Sequence, residues 1–169
     1  LDKIRQLRPA FAKDGTITAA NASSISDGAS ALILASHAAA QRHGVKPLAK
    51  MLGHATHSRH PSEFTIAPVG AIDKLMKKLG WGVNDVDLFE INEAFAVVTL
   101  MAMDDLGLPH DKVNVFGGAC AQGHPVGSTG SRIIATLIHA LRAKGGKRGI
   151  ASLCIGGGEA TAVAVELMD

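Results

Sequence analysis

Three side chains with separate chemistries stand out in this chain. They are the amide of Asn92 in Asn92-Glu93-Ala94-Phe95, the imidazole of His124 in Gly123-His124-Pro125, and the thiol of Cys154 in Cys154-Ile155-Gly156-Gly157-Gly158. A thiol with an ordinary pKa near ~8.5 is readily shifted into a nucleophile or an acid/base. An imidazole can take a proton from a thiol or donate a hydrogen bond to an oxyanion. An amide at a strand end can orient a water or an oxyanion, or it can simply cap the next helix. The flanking glycines let backbone N–H groups approach a ligand closely. Together these groups suit carbon–carbon bond making and breaking at a thioester, but the nucleophile such chemistry needs is not evident. Each has a plainer reading too: Cys154 as a buried structural thiol, His124 as a surface-loop histidine, Phe95 as a core residue.

The remaining candidates are weaker. His54, His57 and His60 are spaced three apart, yet they fall where a strand passes into a loop and need not share a face, so no metal is expected. The basic run from Arg142 to Arg148 is interrupted by Gly145-Gly146 and reads as helix C-terminal charge. With no aromatic platform beside it, nucleic-acid binding is not expected.

The elements that must position these groups follow from glycine punctuation and apolar spacing. Thr16 to Ala20 reads as a short strand. A helix capped by Ser26 or Asp27 runs to about His43 and stops at Gly44. Leu48 to Ala55 reads as a strand. Pro68 fits the first turn of a helix that carries Ile72, Leu75, Met76 and Leu79 and ends at Gly80. Val86 to Ile91 is a strand, Glu93 to Leu106 a helix ending at Gly107, and 117 to 130 a glycine-rich loop. Ser128 can cap a helix ending at Gly145-Gly146, in which Ile133, Leu137 and Leu141 make one apolar stripe and Ile134 and Ile138 another. Gly149 to Cys154 and Ala160 to Leu167 read as a hairpin. This alternation predicts an α/β fold, a five-stranded mixed sheet with helices on both faces, and places all three motifs at strand ends, where such sheets carry ligands.

Composition bounds the rest. The chain has 169 residues, 47% hydrophobic and 19% charged, with a net charge of +2, which reads as one globular domain. Two cysteines without a signal-like stretch point to a reducing compartment rather than a disulfide framework. No apolar run is long and charge-free enough to span a bilayer. The chain begins Leu1-Asp2-Lys3 without Met, which suggests a piece of a longer polypeptide.

Taken in order, the motifs resemble the thiolase family, specifically its acetyl-CoA acetyltransferases. The resemblance rests on Asp14 to Ser23, Asp27-Gly28-Ala29, Asn92 to Ala96, Gly117-Gly118-Ala119, Gly123-His124-Pro125 and Cys154 to Gly158, and it covers essentially the whole chain. It implies that residues 1–169 are the C-terminal domain of a thiolase-like fold, one half of a pseudo-duplicated architecture, with the nucleophile-bearing N-terminal half absent. It further implies that His124 activates a nucleophilic cysteine in that missing half and, with a water held by Asn92, forms an oxyanion hole. Cys154 would move the α-proton, and Gly156 would donate its N–H to a second oxyanion hole. Ser23 would contact the pantetheine arm and Phe95 would line its tunnel. Coenzyme A thioesters are then substrates, and no further cofactor is implied. The expected partners are acyl-CoA, the missing half and, in the complete enzyme, further copies of itself. A cytoplasmic setting and a place in fatty acid metabolism are expected as well. The chain departs from the family pattern at Cys120, Gln122 and Ser24. Cys120, four residues before His124 in the same loop, is not expected to be the nucleophile. A ketoacyl-synthase relative is disfavoured by Cys154, because that class places a histidine or asparagine there. A catalytically silent binding or assembly module is the non-enzyme alternative.

Overall fold

The computed structural model describes residues 2–168. After a 3₁₀ turn at Ile4–Gln6 the chain runs to residue 36 without a regular helix or strand, and then enters α1 (His37–Arg42) and β1 (Ala49–Ser58). A 3₁₀ turn at Pro61–Ile66 leads into α2 (Ala67–Leu79), followed by β2 (Leu88–Ile91) and α3 (Ala96–Leu106). The one-turn helix α4 (Ala119–Gln122) and the long α5 (Thr129–Lys144) precede the hairpin β3 (Arg148–Cys154) and β4 (Glu159–Leu167).

The sheet has four strands in the order β1-β4-β3-β2. β2 and β3 are parallel, and the other two pairings are antiparallel. β2 is buried along its whole length and β3 through Gly149 to Ser152, so the centre of the sheet is covered on both faces. On one face α2 and α3 bring Ile72, Leu75 and Val98 onto Phe89, Ile91, Ile150 and the alanines Ala160, Ala162 and Ala164. On the other, α5 lays Ile133, Leu137 and Leu141 on Leu88, Ala151 and Val165. Ile138 is also buried there and Ile134 is partly buried, so both predicted stripes of α5 are engaged within this chain. The expected stops hold: α2, α3 and α5 end at Gly80, Gly107 and Gly145. The hairpin turn depends on Gly158, whose φ is +98° and where a Cβ would come within 2.5 Å of the Arg59 carbonyl oxygen.

The expected fifth strand, Thr16 to Ala20, does not form. The Asn21 side chain takes its backbone groups instead: Thr18 N–H donates to Asn21 Oδ1 (2.7 Å), and Asn21 Nδ2 donates to the Thr16 carbonyl (3.0 Å). Local side-chain bonds of this kind compete with a sheet ladder. The expected helix from Ser26 to His43 is reduced to α1, which is capped by the Ser36 hydroxyl accepting from Ala39 N–H at 3.2 Å. Residues 27–36 carry no regular structure, and Ile33 and Leu34 are 97% and 78% exposed. A short, continuous apolar run has no period to distinguish helix from strand. Here it also lies on neither face of the sheet. α3 begins at Ala96 rather than Glu93, so Asn92 stands before the helix and does not cap it.

Candidate active site at the strand ends

Asn92 extends the parallel pairing one residue beyond β2, its N–H donating to the Ser152 carbonyl at 2.9 Å. Its side chain is 2% exposed, and among the described residues neither Oδ1 nor Nδ2 has a hydrogen-bond partner. A buried amide left unpaired costs on the order of 1–3 kcal/mol, so this group is suited to hold a small polar ligand.

The neighbouring Glu93 carboxylate is fully used. Asn114 Nδ2 donates to its Oε1 at 3.2 Å and Cys120 N–H to its Oε2 at 3.0 Å. Asn114, at a φ of +47°, also binds both the N–H and the carbonyl of Ile91 at 2.8 Å. Gly118 packs so closely that any Cβ there would overlap the Glu93 carboxylate. Glu93 therefore clamps the 117–123 loop onto the end of β2.

His124 follows that loop. Its N–H donates to the Ser24 carbonyl at 2.9 Å, and its Nδ1 lies 2.7 Å from Thr129 Oγ1 at the start of α5. Burial and then the positive charge of Arg132 lower its pKa below the ordinary histidine value, which favours the neutral imidazole that a base requires. The Cys154 thiol is pushed up by burial at the end of β3. Cys120 is pushed up to about 11, first by burial and then by the Glu93 carboxylate. A thiol held so far from its thiolate is a poor nucleophile.

The segment 21–26 is a strap that joins these pieces. Ser23 donates to the Ala94 carbonyl from both its N–H (3.1 Å) and its hydroxyl (2.9 Å), and Ala96 N–H donates to the Asn21 carbonyl (2.9 Å). Isolated bridges pair Ala22 with Phe95 and Ile25 with His124. Ser23, Phe95 and His124 are thus joined through the strap, and Asn92 stands two residues before the Ala94 that it binds. Phe95 is held edge-on by Phe11 and Phe64, with ring centroids 5.6 and 6.1 Å away. Cys154 joins through the sheet, two residues beyond the Ser152 that binds Asn92; no hydrogen bond ties it to His124 among the described residues. Gly156 sits in the exposed hairpin turn, where a Cβ would meet nothing within 4 Å of this chain. Its φ is outside the left-handed range, which in this turn is reached at Gly158.

The histidine trio stays apart. His54 and His57 lie at positions of opposite parity in β1, while His60 caps the following turn through Ser62. The described residues contain no group of three metal-ligating side chains. Sequence reasoning missed Glu93, Asn114 and Thr129. The only signal for Glu93 was a carboxylate inside the Asn92 motif, and for Thr129 a hydroxyl one turn beyond His124. Glu90 was also missed. It is a carboxyl in an apolar strand, 2% exposed, with its pKa raised to about 7 chiefly by burial.

Residues 45–167 match the family described as thiolase, C-terminal domain, and residues 1–38 match thiolase, N-terminal domain. An acetyl-CoA acetyltransferase of Chromobacterium violaceum is 51% identical over 165 residues, covering 98% of this chain and 42% of that protein. The crystal structure of the Bacillus anthracis acetyl-CoA acetyltransferase superposes with a TM-score of 0.95 at 44% identity over 99% of this chain and 42% of its own. Human mitochondrial 3-ketoacyl-CoA thiolase in complex with CoA gives 0.91 at 44% identity, again covering 99% and 42%. The chain therefore spans less than half the length of these relatives.

Proposed function

Since this chain belongs to the thiolase family, we propose that it supplies the proton-transfer and oxyanion-stabilising part of an acetyl-CoA C-acetyltransferase. The reaction is the reversible Claisen condensation of two acyl-CoA molecules, or thiolysis of a 3-ketoacyl-CoA in reverse. The observation that carries this reading is the buried, unpartnered Asn92 amide, tied by the sheet to the strand of Cys154 and standing two residues before the Ala94 that the strap links to His124. A water or thioester oxygen there would satisfy the amide.

In this reading a cysteine outside the 169 residues is the nucleophile, and the high pKa of Cys120 supports looking elsewhere for it. His124 Nε2 takes the thiol proton. The thiolate attacks the acetyl thioester, coenzyme A leaves as its thiol by taking the Cys154 proton, and an acetyl-enzyme remains beside a Cys154 thiolate. The Cys154 thiolate left by that step removes the α-proton of a second acetyl-CoA, the resulting enolate attacks the acetyl-enzyme, and the nucleophilic cysteine leaves and recovers its proton from His124. Each step places charge on a thioester oxygen, which is met by Asn92 with His124 in one case and by the Gly156 N–H in the other, each donor contributing roughly 3 kcal/mol. Ser23 and Phe95 line the path of the pantetheine arm. Coenzyme A enters as substrate, and no other cofactor or metal is invoked.

The two free thiols fit a reducing, cytoplasmic setting. The complete enzyme would work as a homo-oligomer in fatty acid metabolism; the family resemblance supports both. The test is cleavage of acetoacetyl-CoA by coenzyme A. The chain alone is expected to show no turnover above background, and addition of a nucleophile-bearing half to restore it. Turnover on the order of 10 per second by the chain alone overturns the assignment of the nucleophile. No turnover with any such half favours a silent assembly module.

A further inference from the structure

We infer that Thr129 is a positioning residue that fixes His124 in the tautomer with the proton on Nδ1 and the lone pair on Nε2. The inference rests on the reading of His124 as the base. Thr129 is completely buried, and its Oγ1 lies 2.7 Å from His124 Nδ1. The same oxygen lies 3.0 Å from the Pro125 carbonyl, four residues earlier. A carbonyl can only accept, and a hydroxyl has one proton to give. With that proton on Pro125 O, Thr129 Oγ1 can only accept from the ring, so Nδ1 carries hydrogen and Nε2 does not.

The local backbone supports this direction. Thr129 is the first residue of α5, and one of the two rotamers open to a helical threonine bonds its hydroxyl to the carbonyl three or four residues back, as it does here. Pro125 O is the acceptor of that first turn, receiving the N–H groups of Ser128 at 2.8 Å and Thr129 at 2.9 Å. Pro125 follows His124 directly, so one turn of chain fixes both the imidazole and the group that reads its tautomer. The choice of a hydroxyl has a chemical consequence. A carboxylate on Nδ1 would stabilise the imidazolium and hold the proton. A neutral hydroxyl orients the ring and leaves Nε2 free to release the proton in the next half-reaction.

The measurement is ¹⁵N NMR of histidine-labelled 169-residue chain, with His124 assigned by the resonance that disappears in H124Q. At a pH above the titration of the ring, wild-type His124 is expected to show a protonated Nδ1 and an unprotonated Nε2. T129V should shift the tautomer ratio toward Nε2–H by roughly fivefold or more, the ratio one net hydrogen bond supports. T129S, which keeps the hydroxyl, should restore the wild-type ratio. An Nε2–H tautomer in the wild type overturns the inference without recourse to any variant. So does an unchanged ratio in T129V with otherwise native resonances. These readouts do not depend on catalysis: a correct tautomer with an H124A enzyme that still acylates would sink the base assignment and leave the positioning intact.

Discussion

His124 and Cys154 carry different tasks in the proposed reaction, so their variants should fail at different points. In an enzyme completed with its nucleophile half, His124→Ala should slow formation of the acetyl-enzyme by roughly 10²–10⁴-fold, the contribution of a positioned base. Cys154→Ala should still be acetylated and then stall, so that acetyl-enzyme accumulates on intact-protein mass spectrometry. A Cys154→Ala protein that is never acetylated, or that condenses at the wild-type rate, would show the α-proton assignment to be wrong. Glu90 offers a test that needs no substrate. Its folded pKa of about 7 lies above the 4.5 of the free side chain, so the folded state favours the protonated acid. The stability it contributes is fully present below about pH 4.5 and is lost as pH rises through 7. Glu90→Gln mimics the neutral acid at every pH. Its melting temperature should therefore gain on the wild type between pH 5 and pH 8, up to about 3 kcal/mol in stability. A difference that stays flat across that range would mean Glu90 titrates normally. Asn92, His124 and Cys154 could be singled out as candidates because their side-chain chemistry is visible in the residue type. Glu93 and Thr129 were not, because their roles depend on which loop folds over them.

The elements show where one-dimensional signals suffice. α2 and α5 were readable because each joins a helical apolar stripe to a terminal glycine, and α3, which has no such stripe, was bounded by Gly107; these signals are local. The hairpin β3–β4 was readable from its glycine turn. The Thr16 to Ala20 strand was misread because β-branched content says nothing of the Asn21 side chain that captures its backbone. The segment 27–36 was misread because its apolar residues have no period. The loop of 117–123 makes a prediction at this scale. Gly118 is held against the Glu93 carboxylate with no room for a Cβ. Gly118→Ala should push the loop off its clamp, costing about 1–3 kcal/mol as overpacking does, and lowering acetylation in the completed enzyme because His124 follows that loop. If Gly118→Ala melts with the wild type, the clamp is not rigid.

The central strands are covered on both faces, and much of the exposed apolar surface of the molecule lies outside the sheet. Phe11, Ile25, Ile33, Leu34 and Val126 are all exposed, four of the five preceding α1. Exposed apolar side chains that gather into one patch mark a surface that binds something. The isolated chain should self-associate in sedimentation and bind a hydrophobic dye, and a nucleophile-bearing half should suppress both. A monomer that binds no dye would count against this. The strap carries a consequence for how the family can be taken apart. Residues 1–38 and 45–167 match different units of the family, yet residues 21–26 from the first unit lie hydrogen-bonded between the Asn92 and His124 loops of the second. The seam between the two units in sequence is not a seam in the site. A chimaera that exchanged units between two thiolases at residues 38–45 would import a foreign Ser23 and Ser24 into the recipient's site. Recombination at that junction would therefore carry the strap's contacts along with the scaffold, and lineages in which the two units evolved apart would be expected to lose compatibility first at the strap.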